Sequence, residues 1–193
     1  PVLEDNDKTI GVVSGVLGIR WFDCTVTGME AHAGPTPMAL RKDALLAATR
    51  IMQDVVAAAH RHPPHGRGTV GMVQVFPNSR NVIPGRIKFS IDLRNSTDTL
   101  VDAMAAEVKA FADQVAKEHG VQVHIEMVSS YPAQLFQPEC VQAVGRAAAK
   151  LGYSHMPAVS GAGHDAVYMA KLAPSGMIFI PCKDGISHNE IED

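Results

Sequence analysis

The 193-residue chain has only three cysteines, Cys24, Cys140 and Cys182, an odd number without metal-type spacing. That excludes a disulfide framework and a CxxC knuckle, and it predicts buried free thiols in a reducing compartment, the cytoplasm. No apolar run approaches the length that spans a bilayer and no signal peptide opens the chain, so no membrane association is predicted. Basic charge is not in excess. A formal net charge of −3 and a pI near 6.3 argue against nucleic acid as a partner. HExxH is missing, and no second histidine lies at helical spacing from His164 or His188. There is no G-x-S-x-G elbow, and nothing around Cys182 marks an activated thiolate. What is present is ordinary for a globular protein: 46% hydrophobic and 19% charged, long enough for one large domain or two small ones.

Periodicity organises the middle of the chain. From Ile19, Phe22, Cys24 and Val26 point one way and Trp21, Asp23 and Thr25 the other. After the loop Ala31-His32-Ala33-Gly34, Thr36-Pro37 reads as a helix cap and first turn. The apolar stripe Leu40, Ala44, Ala47, Ile51, Val55 and Ala59 then runs to Pro63-Pro64. A strand over 69–76 is followed by the clearest alternation in the sequence, with Ile87, Phe89, Ile91 and Leu93 facing the core. A second helix carries Leu100, Met104, Val108, Phe111 and Val115 and is stopped by Gly120. A last strand holds Val121, Val123, Ile125 and Met127. One apolar face per strand and one stripe per helix predict a four-stranded antiparallel sheet under two helices, the ferredoxin-like βαββαβ arrangement, over 18–129. The flanks, 1–17 and 130–193, have a buried α/β character, with a nearly continuous apolar strand over 9–16 and a buried strand over 177–180. The chain starts at Pro1 without an initiator methionine and reads as the middle of a longer protein. The flanks are expected to be pieces of a second, incomplete α/β domain that the central one interrupts; the alternative is that they pack on it as extensions.

Chemistry concentrates in two runs, Ser160-Gly161-Ala162-Gly163-His164-Asp165 and Gly185-Ile186-Ser187-His188-Asn189-Glu190. Glycines ahead of a histidine at a helix start leave backbone N–H groups available to an anionic group, and strand ends are where α/β folds carry chemistry. Each run also reads as a glycine turn with a solvated histidine. His188 is one plausible metal ligand and His164 with Asp165 another candidate, or a hydrogen-bonded pair. Arg94, last on its strand's polar face and expected beside the loop of Asn78, Arg80 and Asn81, suits two-pronged capture of a carboxylate, or is an exposed arginine. His32 is a mobile donor or a solvated loop residue.

Taken together, Ala31 to Gly34, Thr36-Pro37-Met38, Arg41 to Ala44, Asn81-Val82-Ile83-Pro84-Gly85, Asp92-Leu93-Arg94, Ser160 to Ala166 and Gly185 to Glu190 resemble the hydantoinase/carbamoylase amidases, M20-like metal-dependent amidohydrolases. The resemblance runs along essentially the whole chain. It implies a catalytic α/β domain with two divalent metals (zinc, or manganese, cobalt or nickel), interrupted by a ferredoxin-like lid through which the protein forms a homodimer. It also implies hydrolysis of a small ureido substrate, an N-carbamoyl-L-amino acid or N-carbamoyl-β-alanine, to amino acid, ammonia and carbon dioxide. Allantoate is the alternative substrate. In the roles it implies, His188 is a metal ligand, and His32 reaches the partner's site to stabilise an oxyanion. Asn81 and Arg94 contact substrate from the lid, as Gly163 and His164 do from the catalytic domain. It places the other metal ligands and the general base ahead of Pro1, so the chain alone is expected not to assemble the metal site and to act in practice as a dimerisation module.

Overall fold

The computed structural model describes residues 1–186 and residue 190. Along the chain run α1 (Val2–Asp5), β1 (Ile10–Val16), β2 (Gly18–Thr27), β3 (Ala31–His32), α2 (Ala44–Arg61), β4 (Arg67–Thr69), β5 (Val73–Phe76), β6 (Val82–Ile83), β7 (Arg86–Asn95) and α3 (Asp98–His119). Then follow β8 (Gln122–Tyr131), β9 (Gln134–Leu135), α4 (Pro138–Lys150), β10 (His155–Ser160), α5 (Asp165–Met169) and β11 (Met177–Phe179). They form two compact units, Pro1–Leu17 with Ala133–Asp193, and Gly18–Pro132. The second junction falls a few residues beyond 129, because β8 continues to Tyr131. Among the described residues, no helix is long and apolar enough to cross a membrane.

In the unit Gly18–Pro132, β2 pairs antiparallel with β7 along its whole length, from Gly18↔Asn95 to Thr27↔Arg86. On its other side β2 pairs with β8, and β4 and β5 share the far side of β7, so the order is β4/β5-β7-β2-β8. The register sets Cys24 opposite Phe89 and Val26 opposite Ile87. That puts the apolar sets of both strands on one face, because side chains alternate with a period of two. Both helices cover that face. Ala47, Ile51 and Val55 of α2 and Val101, Met104 and Val108 of α3 pack with Ile87, Phe89, Ile91 and Leu93 into one core. Each large side chain buried there contributes about 1.5–3 kcal/mol. Burial also pushes the Cys24 thiol up to about 12, so it stays protonated and inert. Cys140 and Cys182 are free but only half-buried, not buried as expected.

A buried arginine interrupts the apolar face. Arg20, 7% exposed, donates from Nε to Asp102 Oδ1 (2.9 Å) and from Nη2 to Asp98 Oδ1 (3.1 Å), which ties the first turns of α3 to β2. A charge is tolerated there because it is paired and hydrogen-bonded.

Three details differ from the sequence reading. The helix after His32 begins at Ala44, not Pro37, and its cap is Asp43, whose carboxylate accepts from Leu45 N (2.9 Å) and Leu46 N (3.1 Å). Such a cap is worth about 1 kcal/mol. Pro37 is extended (φ −59, ψ 147), and only a 3₁₀ turn, Met38–Leu40, follows it. The strand over 69–76 is split at Gly71 into β4 and β5. Gly120, by contrast, ends α3 as the sequence indicates, in the left-handed conformation that favours glycine (φ 62); at the other end Thr97 accepts from Leu100 N (3.2 Å).

In the other unit β1 is central. It pairs parallel with β10 (Ile10↔His155 to Val16↔Ser160) and antiparallel with β11 (Gly11↔Phe179) and β9 (Val16↔Gln134). Val13, Val16, Phe136 and Ala170 form a small core with Val141, Ala158, Val167 and Phe179 around it. The 177–180 run is not buried throughout. Met177 and Phe179 are half-buried, whereas Ile178 (54%) and Ile180 (72%) are exposed, since alternation turns them to the uncovered face.

Candidate functional site

His32 lies on a two-stranded ribbon in which His32 faces Val82 and Ala31 faces Ile83. The ribbon continues one residue further, with Ala33 N donating to Asn81 O (2.9 Å), so Asn81 lies opposite Ala33, one position on from the His32–Val82 pair. Arg41 braces the loop. Its Nη2 donates to Ala33 O (2.7 Å) and Thr36 O (3.0 Å), and its Nε to Thr36 O (3.1 Å). Gly28 and Gly85 make the base of the ribbon possible: Gly28 N donates to Gly85 O (2.8 Å). A Cβ at Gly28 would strike the Lys42 carbonyl, and one at Gly85 would strike Glu30. His32 is exposed, and its Nδ1 accepts from Gly34 N at 3.0 Å. In the neutral ring the proton is therefore on Nε2, and His32 presents a donor. Asn81 is likewise exposed. Its Oδ1 accepts from Ser79 Oγ (2.8 Å), which turns its amide N–H groups into the available edge.

Arg94 is not beside that loop. The ribbon sits at the Arg86 end of β7, and Arg94 at the other end, opposite Ile19 and Arg67. Eight residues of strand at about 3.3 Å each put roughly 26 Å between the two ends. Sequence proximity to Asn81 was misleading because the connection 84–85 feeds straight into an extended strand. Asp92, on the same face two residues away, holds the guanidinium by two donors, Nε to Oδ1 (2.9 Å) and Nη2 to Oδ2 (2.6 Å). This pairing raises the arginine's pKa, with burial opposing it.

In the other unit, β10 ends at Ser160, and the turn 161–164 leads into α5. His164 caps that helix with extended backbone (φ −138, ψ 160), and its ring leans on Phe179 at 5.8 Å between centroids. Ser160, 1% exposed, joins the turn together. Its Oγ donates to Ala162 O (2.8 Å), accepts from Ala162 N (3.2 Å) and lies 3.0 Å from His164 Nε2. Asp165 is exposed, and a Cβ at Gly163 would meet nothing within 4 Å. Among the described residues nothing requires glycine at 163.

His188 lies outside the described residues. Among the described residues, no group of three or more His, Cys, Asp or Glu side chains could hold a metal ion. None of the candidate residues lines the apolar hollow of about 350 Å³ between α3 and the sheet, which Phe22, Ile91, Leu93, Ala105 and Met127 border.

Residues 6–193 match the family model of peptidase family M20/M25/M40. The chain belongs to this family. It is 46% identical over 193 residues to an N-carbamoyl-L-amino-acid amidohydrolase from Rhizobium meliloti, covering 100% of this chain and 46% of that protein. It is 33% identical over 191 residues to allantoate amidohydrolase from Escherichia coli strain K12, covering 99% of this chain and 46% of that one. A crystal structure of an amidase of the hydantoinase/carbamoylase family from Burkholderia multivorans superposes with a TM-score of 0.97 at 51% identity, over 100% of this chain and 47% of that one. The chain spans about half the length of the curated relatives it matches. Three contributors escaped the sequence reading as parts of the site: Arg41, Asp92 and the hydroxyl of Ser160. Each lies inside a matched motif, but its role is a hydrogen bond to a neighbour, which spacing alone does not encode.

Proposed function

We propose that the whole protein hydrolyses the ureido C–N bond of an N-carbamoyl-L-amino acid or N-carbamoyl-β-alanine, releasing the amino acid, ammonia and carbon dioxide. The observation that carries this reading is the 46% identity along all 193 residues to a protein named for that substrate class. The corresponding figure is 33% for the allantoate enzyme. In this reading the donor Nε2–H of His32 and the Asn81 amide stabilise negative charge developing on the carbonyl oxygen. Arg94, its plane fixed by Asp92, holds the substrate carboxylate. Gly163 and His164 contact the substrate, and His188 ligates one of two divalent metals.

A carbamoyl amino acid is far shorter than the roughly 26 Å of strand from Arg86, at the ribbon end that carries Asn81, to Arg94. One substrate cannot touch both on a single copy, so His32 and Asn81 serve the site of a second copy. The unit Gly18–Pro132 is then the ferredoxin-like dimerisation domain, inserted in a catalytic α/β domain of which Pro1–Leu17 and Ala133–Asp193 are parts. Two measurements test this reading on the whole gene product. A panel of N-carbamoyl-L-amino acids, N-carbamoyl-β-alanine and allantoate should give the highest kcat/KM with a carbamoyl compound; preference for allantoate overturns the substrate assignment. Mixing inactive His32→Ala and Arg94→Ala proteins should restore about a quarter of the wild-type rate, since half the dimers are mixed and one of their two sites is complete. No restoration overturns the shared site.

A further inference from the structure

A serine hydroxyl has one proton to give and two lone pairs to offer, and Ser160 uses all of them within the fold. Its proton is committed to the Ala162 carbonyl at 2.8 Å, because a carbonyl can only accept. One lone pair takes the Ala162 N–H at 3.2 Å. The remaining neighbour, His164 Nε2 at 3.0 Å, must therefore donate; an unprotonated Nε2 would set lone pair against lone pair. Neutral His164 then carries its proton on Nε2 and its lone pair on Nδ1. Ser160 is 1% exposed, so water does not compete for these bonds. The ring contact with Phe179 at 5.8 Å limits rotation from the other side.

We infer that Ser160 is a positioning residue which fixes the Nε2–H tautomer of His164, so that Nδ1 accepts a hydrogen bond from a substrate N–H group. The inference rests on the reading of His164 as a substrate contact and adds the kind of group it takes: a ureido or amide nitrogen, not a carboxylate. His32 is the opposite case, since Gly34 N–H occupies its Nδ1 and leaves a donor facing outward. The two histidines thus present opposite edges, a donor at His32 and an acceptor at His164.

Nitrogen-15 histidine spectra of the 193-residue chain, recorded where the ring is neutral, test the tautomer without any variant. The expected spectrum has a His164 Nε2-bonded proton protected from exchange and an unprotonated Nδ1, with the protection lost in Ser160→Ala. A proton on Nδ1 in the wild type overturns the inference, as does a Nε2 proton indifferent to Ser160→Ala. Kinetics on the whole gene product separate this from the functional reading. Ser160→Ala should lower kcat/KM about 10-fold or more, the usual effect of losing a residue that orients a functional histidine. His164→Gln, which keeps a donor towards Ser160 but no acceptor at Nδ1, should lose at least as much. Normal kinetics in Ser160→Ala with a loss in His164→Gln overturn the positioning role alone. Normal kinetics in both overturn His164 as a substrate contact.

Discussion

The side chains proposed to meet substrate are each set by one short polar contact. Gly34 N–H fixes the edge that His32 shows, Ser79 the edge of Asn81, and Asp92 the plane of Arg94. The Arg94–Asp92 pair is about a quarter exposed on each side (24% and 26%), a setting in which ion pairs contribute about 0–1 kcal/mol. Replacing Arg94 should therefore affect binding far more than folding. For Arg94→Lys in the whole gene product, the expected result is a kcat/KM loss on the order of 100-fold, about 2.7 kcal/mol of transition-state binding. Lysine keeps the charge but lacks the planar fork that engages Asp92 and a carboxylate together. Melting temperature should hardly move. Near-normal kinetics would reduce Arg94 to a partner of Asp92, and a large drop in melting temperature would make it a structural residue. The chemical types of these residues were legible in the sequence motifs, but their hydrogen-bond partners were not, because a contact two or four residues away depends on the turn that brings it round.

At the level of elements, the helices of the unit Gly18–Pro132 are joined on their outer surface as well as through the core. At the end of α2, His62 Nε2 lies 2.7 Å from Glu107 Oε1 of α3, and Arg61 Nε donates to Glu107 Oε2 at 2.9 Å. The bond to His62 does most to hold the Glu107 carboxyl below its ordinary 4.5; burial opposes it, and Arg61 adds a lesser pull downward. A carboxylate whose pKa is lower folded than unfolded stabilises the fold above the unfolded value, and that contribution disappears as pH falls through the folded one. Wild type should therefore melt above Glu107→Gln near neutrality, with the gap closing as pH drops below about 4.5. Thermal melts followed by circular dichroism at several pH values check this; a gap that widens in acid would contradict it. Helix and strand types follow from periodicity: Ile87, Phe89, Ile91 and Leu93 of β7 and Met104, Val108 and Val115 of α3 reach the core, whereas Leu100 of the predicted stripe stays exposed. The start of α2 did not follow, because Thr36-Pro37 is a good local entry signal that the Arg41 brace and the Asp43 cap override.

For the molecule as a whole, the unit Gly18–Pro132 has strands at both sheet edges, β4 and β5 on one side and β8 on the other. Edge strands with unpaired backbone groups are usually covered in native proteins. The chain is expected to be a dimer by light scattering at micromolar concentration, and a monomer there would remove both the shared site and the dimerisation role. What the sequence by itself determined was periodicity and chemistry. Alternation every two residues assigned β2 and β7 their buried faces, caps and glycine bounded α3, and the spaced motifs identified the family. These are local properties, legible because each depends on residues a few positions apart. Only the tertiary structure decided which residues meet. It set His32 against Val82 and Ala33 against Asn81, across a ribbon of residues 50 and 48 positions apart (82 − 32 and 81 − 33). It carried Arg94 to the far end of a strand that begins five residues after Asn81 (86 − 81). It also buried Arg20 among apolar neighbours by supplying Asp98 and Asp102 from a helix some 80 positions away (98 − 20 and 102 − 20). The reason is physical. Sequence fixes the direction of each side chain along its own element, whereas strand order, register and the length of an extended strand fix the distances between elements.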